Sequence, residues 1–173
     1  ALNEGAVKKV YDLKGRSFLK ALTIIIDRTE SLFSIIQAVP PEAEKLMERF
    51  WPGPLTIIFA AGSNVPDLLT AGTGKVGVRV PSAFAARALA SAAGSPLTAT
   101  SANPSGEGGF TVAKEVSDAL GEKIDLILDG GEAPGGNASS ILDVTSSPPL
   151  LIRAGAITRE MLEGCLHLKI SGP

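Results

Sequence analysis

Apolar positions fall into short runs along the chain, and their spacing switches repeatedly between the period of a helix and that of a strand. Asn3 to Leu13 reads as a helix, with Val7, Val10, Tyr11 and Lys14 at i, i+3, i+4 and i+7. Thr23-Ile24-Ile25-Ile26 is a β-branched run bounded by polar residues, the mark of a buried strand. Pro41 to Phe50 reads as a helix, with proline in its first turn and acidic residues near its start. Trp51-Pro52-Gly53-Pro54 punctuates, and Leu55 to Ala60 follows as a strand. Ser63 to Gly74 is a loop with a short helix over Val65 to Leu69, and Val76 to Val80 is a strand stopped by Pro81. Ala83 to Ala93 is an alanine-rich helix, and Leu97 to Thr100 is a short strand. Val112 to Leu120 predicts a helix, Leu126 to Leu128 a strand, and Gly130 to Asn137 is glycine-rich. Ser140 to Val144 and Leu150 to Arg153 predict two more strands, and Thr158 to Leu166 a closing helix with Thr158 as N-cap. This alternation predicts an α/β fold with one mixed sheet and no linker dividing it.

Composition narrows the chemistry. At 173 residues the expectation is a single domain. Sixteen Lys and Arg against eighteen Asp and Glu leave a net charge of −2, which excludes a protein that grips nucleic acid through bulk positive charge. The single Cys165 excludes a disulfide framework, a CxxC redox pair and a cysteine zinc site. The single His167, six residues from the end, argues against a Ser-His-Asp triad or an imidazole-rich metal site. Any chemistry must run on Lys, Arg, hydroxyls, amides, carboxylates and backbone. No apolar run approaches the roughly 18 residues of a membrane span, so no membrane partner is expected. Ala1-Leu2-Asn3-Glu4 carries no basic region ahead of an apolar stretch. A cytoplasmic location is therefore expected.

Three apparent motifs fail on context. Gly72-Thr73-Gly74-Lys75-Val76-Gly77 matches G-x-G-x-x-G, but the dinucleotide motif needs a strand before it and a helix after it, and here a strand follows. A phosphate-binding P-loop fails because Leu69 and Val76 stand where Gly and Ser/Thr are required. Asn137-Ala138-Ser139 fits a glycosylation sequon by chance, with no secretory signal to expose it.

Five polar points lie beside predicted strands. Lys14-Gly15-Arg16 with Lys20 suits a polyphosphate, Lys as a point charge and Arg as a fork, or else a solvated helix C-terminus. Thr98 to Gly106 reads as a strand end opening into a loop rich in hydroxyls, the place where ligands gather in α/β sheets, or else as an Asx- or ST-turn. Arg79 is a cation inside an apolar strand, and it meets either an internal carboxylate or an anionic ligand. Gly135 to Ser140 and Arg153 complete the set, which together suggests one polar cleft.

These residues, in this order, resemble the YrdC/Sua5 family, the threonylcarbamoyl-AMP synthases, over nearly the whole chain. Lys14-Gly15-Arg16 resembles the family's KxR signature, and Phe50 to Thr56 its FWPGPLT segment. Val78-Arg79-Val80-Pro81 is similar to the VRVP strand, and Ala99 to Gly106 to the ATSANxSG loop that contains SxN. Ser139 to Asp143 resembles the STVVD strand, and Ile152-Arg153-Ala154-Gly155 the closing LRxG motif. The resemblance implies an α/β domain over 1–173 with a twisted mixed sheet, helices and a YrdC/RibB-like open concave face. It implies an L-threonylcarbamoyladenylate synthase, a nucleotidyltransferase that joins L-threonine, bicarbonate (or CO2) and ATP and releases pyrophosphate. The adenylate would feed the t6A modification of tRNA through a downstream transferase complex, with at most a weak contact between tRNA and this chain.

By the same resemblance, Lys14 and Arg16 would be catalytic. Arg16, Lys20, Ala99, Ser101, Asn103 and Arg153 would bind ATP. Arg79 and Ser139 would bind threonine. Mg2+ would ride with the phosphates of ATP, with no protein metal cage. Three departures accompany the match. The family's N-terminal strand with its PTDT motif has no counterpart, and residues upstream of Ala1 are expected to supply it. Ser17 and Ala21 replace prolines of the KxRPxxKPL pattern, which predicts a looser turn. Where some members carry His on the next strand, this chain has Ile24-Ile25-Ile26. The chain closes at Ile170 to Pro173, just past the last helix, so the short form without a C-terminal Sua5-type extension is expected. Competing expectations are an RNA-binding module of the same fold without turnover, a piece of a larger carbamoyl-transfer enzyme, and an inactive fragment.

Overall fold

A computed structural model describes residues 1–133 and 135–172. Pro134, inside the glycine-rich stretch, and Pro173 lie outside the described residues. Helix α1 (Glu4–Lys14) starts at Asn3, whose side chain accepts the Ala6 N–H at 3.0 Å, and ends at Gly15 in the left-handed region (φ 56°). Strand β1 (Thr23–Ile25) follows, then a 3-10 turn over Thr29–Ser34 that the hydrophobic pattern does not reveal. Next come α2 (Pro41–Phe50), β2 (Leu55–Ala60), α3 (Asp67–Thr70), β3 (Lys75–Arg79), α4 (Phe84–Ala93) and β4 (Leu97–Ala99). The chain finishes with α5 (Ala113–Leu120), β5 (Ser140–Asp143), β6 (Leu150–Arg153) and α6 (Arg159–Leu166), the last capped by the Thr158 hydroxyl.

The strands form one six-stranded mixed sheet in the order β4-β1-β3-β2-β5-β6. β1 pairs parallel with β3, and β2 parallel with β5, while the remaining neighbours are antiparallel. Register explains the burial. Ile24 lies opposite Val78, Val78 opposite Ile57, Ile57 opposite Leu142, and Leu142 opposite Leu151. All five are fully buried, and they form an apolar row across the sheet. The core continues through Leu46 and Phe50 of α2 and Leu162 and Leu166 of α6. Side chains alternate across a strand, so the next row faces the other way. It runs Ile25, Arg79, Thr56, Ile141 and Arg153, with Ile25 opposite Arg79, Thr56 opposite Ile141, and Ile141 opposite Arg153. One residue step along the strands thus separates the core face from a polar, cationic one.

The strand expected over Leu126 to Leu128 does not form. This segment is irregular, with Leu126 and Leu128 exposed. A strand needs a ladder partner, and none of the described residues pairs with it. An apolar groove of about 450 Å³ separates it from β4, lined also by Leu13 of α1 and Val112 and Val116 of the α5 segment. The composition was right for a strand, but pairing is a tertiary property.

Candidate active site

Arg16, Thr23, Ile25, Thr56, Arg79, Ala99, Ser101, Ser139 and Arg153 line one cleft of about 550 Å³ on the polar face of the sheet. Six of the nine residues expected to carry function therefore converge there: Arg16, Arg79, Ala99, Ser101, Ser139 and Arg153. Lys14, Lys20 and Asn103 line an adjoining pocket of about 410 Å³ that shares Arg16 and Ser101 with the cleft. No Asp or Glu among the described residues lines the larger cleft.

The turn after α1 places the first cations. Gly15 takes the left-handed conformation that a side chain would strain. Arg16 then folds back, its Nε donating to the Lys20 carbonyl at 3.1 Å and its Nη2 to the Ala21 carbonyl at 2.9 Å. The turn is tied rather than loose. The Lys20 N–H donates to the Ser17 carbonyl at 3.1 Å, and the Leu19 N–H to Ser17 Oγ at 3.2 Å. A serine can thus hold by hydrogen bonds what proline holds by its ring.

Lys14 departs from a free phosphate clamp. It is only 4% exposed, and its Nζ donates to the carbonyls of Ser101 and Asn103. Burial, and then the nearby Arg16 charge, lower its pKa. Asn103 is also turned inward, its Nδ2 donating to the carbonyls of Pro104 (3.0 Å) and Glu107 (2.7 Å). Lys14 and Asn103 thereby hold the 101–107 loop against the end of α1, an attachment completed by the Ser105 N–H on the Lys14 carbonyl at 2.9 Å. Ser101 stays exposed at the cleft edge, and Ala99 contributes its backbone, its carbonyl accepting from Thr23 Oγ1 at 2.9 Å.

At the other end, Arg153 brackets Ser139. Its Nε and Nη2 donate to the Ser139 carbonyl at 2.9 and 2.7 Å, and Nη2 also reaches Ser139 Oγ at 3.0 Å. Gly155 permits this, since a Cβ there would run into the Ala138 carbonyl oxygen. Arg79 stands between the two ends. No hydrogen bond or ion pair to its guanidinium exists among the described residues, so the internal-carboxylate alternative is excluded. Burial, and secondarily the Arg153 charge, depress its pKa. It nevertheless stays cationic, because an arginine does not deprotonate in this range. A desolvated cation facing a like charge is electrostatically unfavourable. An anion in the cleft would relieve that repulsion.

The Sua5/YciO/YrdC family model, described as telomere recombination, matches residues 1–155. The chain belongs to this family. It is similar to threonylcarbamoyl-AMP synthase of Pyrococcus abyssi, 40% identical over 163 residues that cover 94% of this chain and 48% of the relative. It is also similar to the enzyme of the same name from Bacillus subtilis, 38% identical over 96% of this chain and 48% of that one. The crystal structure of P. abyssi Sua5 complexed with L-threonine superposes with a TM-score of 0.95 at 38% identity, covering all of this chain and 51% of that one. The chain thus spans about half the length of the curated relatives it matches.

Sequence reasoning passed over Thr23, Thr56 and Ile141 as cleft residues, and Ile25, on the strand where some family members carry His, lines the cleft as well. A signal existed for Thr56. It is a lone hydroxyl between Leu55 and Ile57, and a strand with one buried face places it opposite them.

Proposed function

We propose that this member of the Sua5/YciO/YrdC family forms L-threonylcarbamoyladenylate from L-threonine, bicarbonate or CO2, and ATP, as a nucleotidyltransferase. The observation that supports this reading is a cleft with three guanidiniums and no acid among the described residues, of which Arg79 has no hydrogen-bond or ion-pair partner among them. Such a site suits a reaction whose participants are anionic: a carboxylate, a carbamate and a triphosphate. The names of the relatives support the choice of substrates.

In this reading the threonine amine and CO2 first give N-carboxy-threonine. Its carbamate oxygen attacks the α-phosphorus of ATP, the bond from that phosphorus to the bridging oxygen breaks, and pyrophosphate leaves. No protein nucleophile is needed. Arg16, Lys20, Ser101 and Arg153 would hold the nucleotide, with the Ala99 backbone beside it, and Arg79 and Ser139 would hold the threonine carboxylate. The work of the chain is alignment and charge stabilisation. Lys14 and Asn103 would contribute by fixing the loop that presents Ser101. Among the described residues no carboxylate lines the larger cleft and Glu107 is the one acid lining the adjoining pocket, so any Mg2+ would arrive with ATP and would supply neutralisation of phosphate charge. A downstream transferase complex that uses the adenylate for tRNA t6A, and a cytoplasmic setting, follow from the same reading. No helix among the described residues is long and apolar enough to cross a membrane.

The test is formation of the adenylate and pyrophosphate by the full chain, followed by mass spectrometry and a phosphate assay. Product should require all three substrates. Its absence with all three present, or its formation without threonine, overturns the proposal. Salt-sensitive tRNA binding without turnover would favour the RNA-binding alternative.

A further inference from the structure

Thr56 is almost completely buried (2% exposed), yet it sits in the middle of the cleft row. Its hydroxyl has one partner among the described residues, Ser139 Oγ at 3.2 Å. Its methyl group points the other way, toward β3. A Cβ added at Gly77 would lie 3.3 Å from Thr56 Cγ2 and 3.0 Å from Thr23 Cγ2. The missing side chain of Gly77 is therefore the space that the two threonine methyls occupy. With its methyl seated there, β-branched Thr56 is held in one rotamer, and its hydroxyl is directed at Ser139.

A proton count at this pair decides its polarity. A buried hydroxyl must donate its hydrogen or lose a hydrogen bond, and Ser139 Oγ is the acceptor within reach of Thr56. Ser139 Oγ also accepts from Arg153 Nη2 at 3.0 Å. A serine hydroxyl has two acceptor lone pairs and one proton. With Thr56 and Arg153 both donating, the lone pairs are filled and only the proton remains. Ser139 is half-buried at the cleft wall, so that proton is directed into the cleft.

We infer that Thr56 is a positioning residue that turns the Ser139 hydroxyl into a donor only, and so makes this end of the cleft select a carboxylate over an uncharged or donating group. The inference rests on the proposed function for the identity of the ligand, L-threonine, and deepens it. Thr56 acts through Ser139 and need not touch substrate. Without it, Ser139 Oγ regains a free lone pair and can rotate to accept as well as donate.

The experiment compares binding of L-threonine and L-threoninamide to the full chain by calorimetry, in the wild type, Thr56→Val and Thr56→Ser. The amide keeps the shape of threonine and replaces one carboxylate oxygen with a donor. Thr56→Val keeps the branched shape and deletes the hydroxyl. It should weaken L-threonine about fivefold to tenfold, less than the full worth of a charge-assisted hydrogen bond because the Ser139 hydroxyl is left free to turn rather than removed, and leave threoninamide nearly unchanged. Thr56→Ser returns the donor without the methyl that holds it in place, and should restore much of the wild-type preference. A merely structural role would lower both affinities together, and would follow thermal stability rather than the ratio. Should Thr56→Val not fold, Thr56→Ala read against Thr56→Ser gives the same contrast. A preference unchanged in Thr56→Val or Thr56→Ala overturns this inference while the function stands. Absence of L-threonine binding in the wild type overturns both.

Discussion

Replacing Arg79 separates activity from stability. Its guanidinium lies in the cleft row between Ile25 and Thr56, desolvated, facing the Arg153 charge, and without a carboxylate within reach. Among the described residues it makes no hydrogen bond or ion pair to lose. With substrate bound it would make a forked, charge-assisted contact to the threonine carboxylate. Hydrogen bonds to charged groups contribute about 1.5–3 kcal/mol, the lower part of the range for full desolvation because the cleft is open. Arg79→Met should therefore lower kcat/KM for L-threonine about 10- to 150-fold. Its melting temperature should stay level or rise, because an unpaired cation beside another has been removed. Arg79→Lys keeps the charge but not the fork, and should fall between the two. Paired measurements of adenylate formation at varied threonine and of thermal unfolding test this. If Arg79→Met retains full kcat/KM, or loses stability along with activity as a salt-bridged residue would, the reading of Arg79 as an anion receptor is wrong.

Two other side chains should respond through stability. Lys14→Met removes the donor shared by the Ser101 and Asn103 carbonyls and should cost about 1–3 kcal/mol, with faster amide hydrogen exchange across the 101–107 loop. Arg16→Met, whose bonds are exposed, should leave that exchange unchanged. Asp143 is 5% exposed; burial alone would raise its pKa, but donors from Thr145 and Lys75 outweigh burial and hold it below the usual value. Its contribution is therefore present above about pH 4, the ordinary aspartate value, and lost as pH falls through its lower folded pKa. Thermal unfolding from pH 5 to pH 2 should show this loss in the wild type and a flatter profile in Asp143→Asn.

Net charge misleads about the site. A value of −2 argues against grip by bulk charge, but it averages over a surface on which three arginines gather in a cleft that no acid among the described residues lines. The elements of the core followed from local pattern, as did α1, α2, α4 and α6, because hydrophobic period and capping are properties of neighbouring residues. The predicted strand at Leu126 to Leu128 failed for the opposite reason. A ladder partner must come from elsewhere in the fold, and no local pattern can supply it.

The candidate residues were legible from the sequence by type and motif, and most of them meet in one cleft. Which groups would face a ligand was not legible. Lys14 and Asn103 line the pocket beside the cleft, and both also donate to carbonyls of the loop they secure, a role no linear reading shows. Thr56 looks like part of an apolar strand, yet it meets Ser139, 83 residues away. The sequence by itself determined the α/β class, the apolar strands and the store of arginines and hydroxyls. The tertiary structure decided which cations stay unpaired and which hydroxyl keeps its proton free, since both depend on partners brought from distant strands.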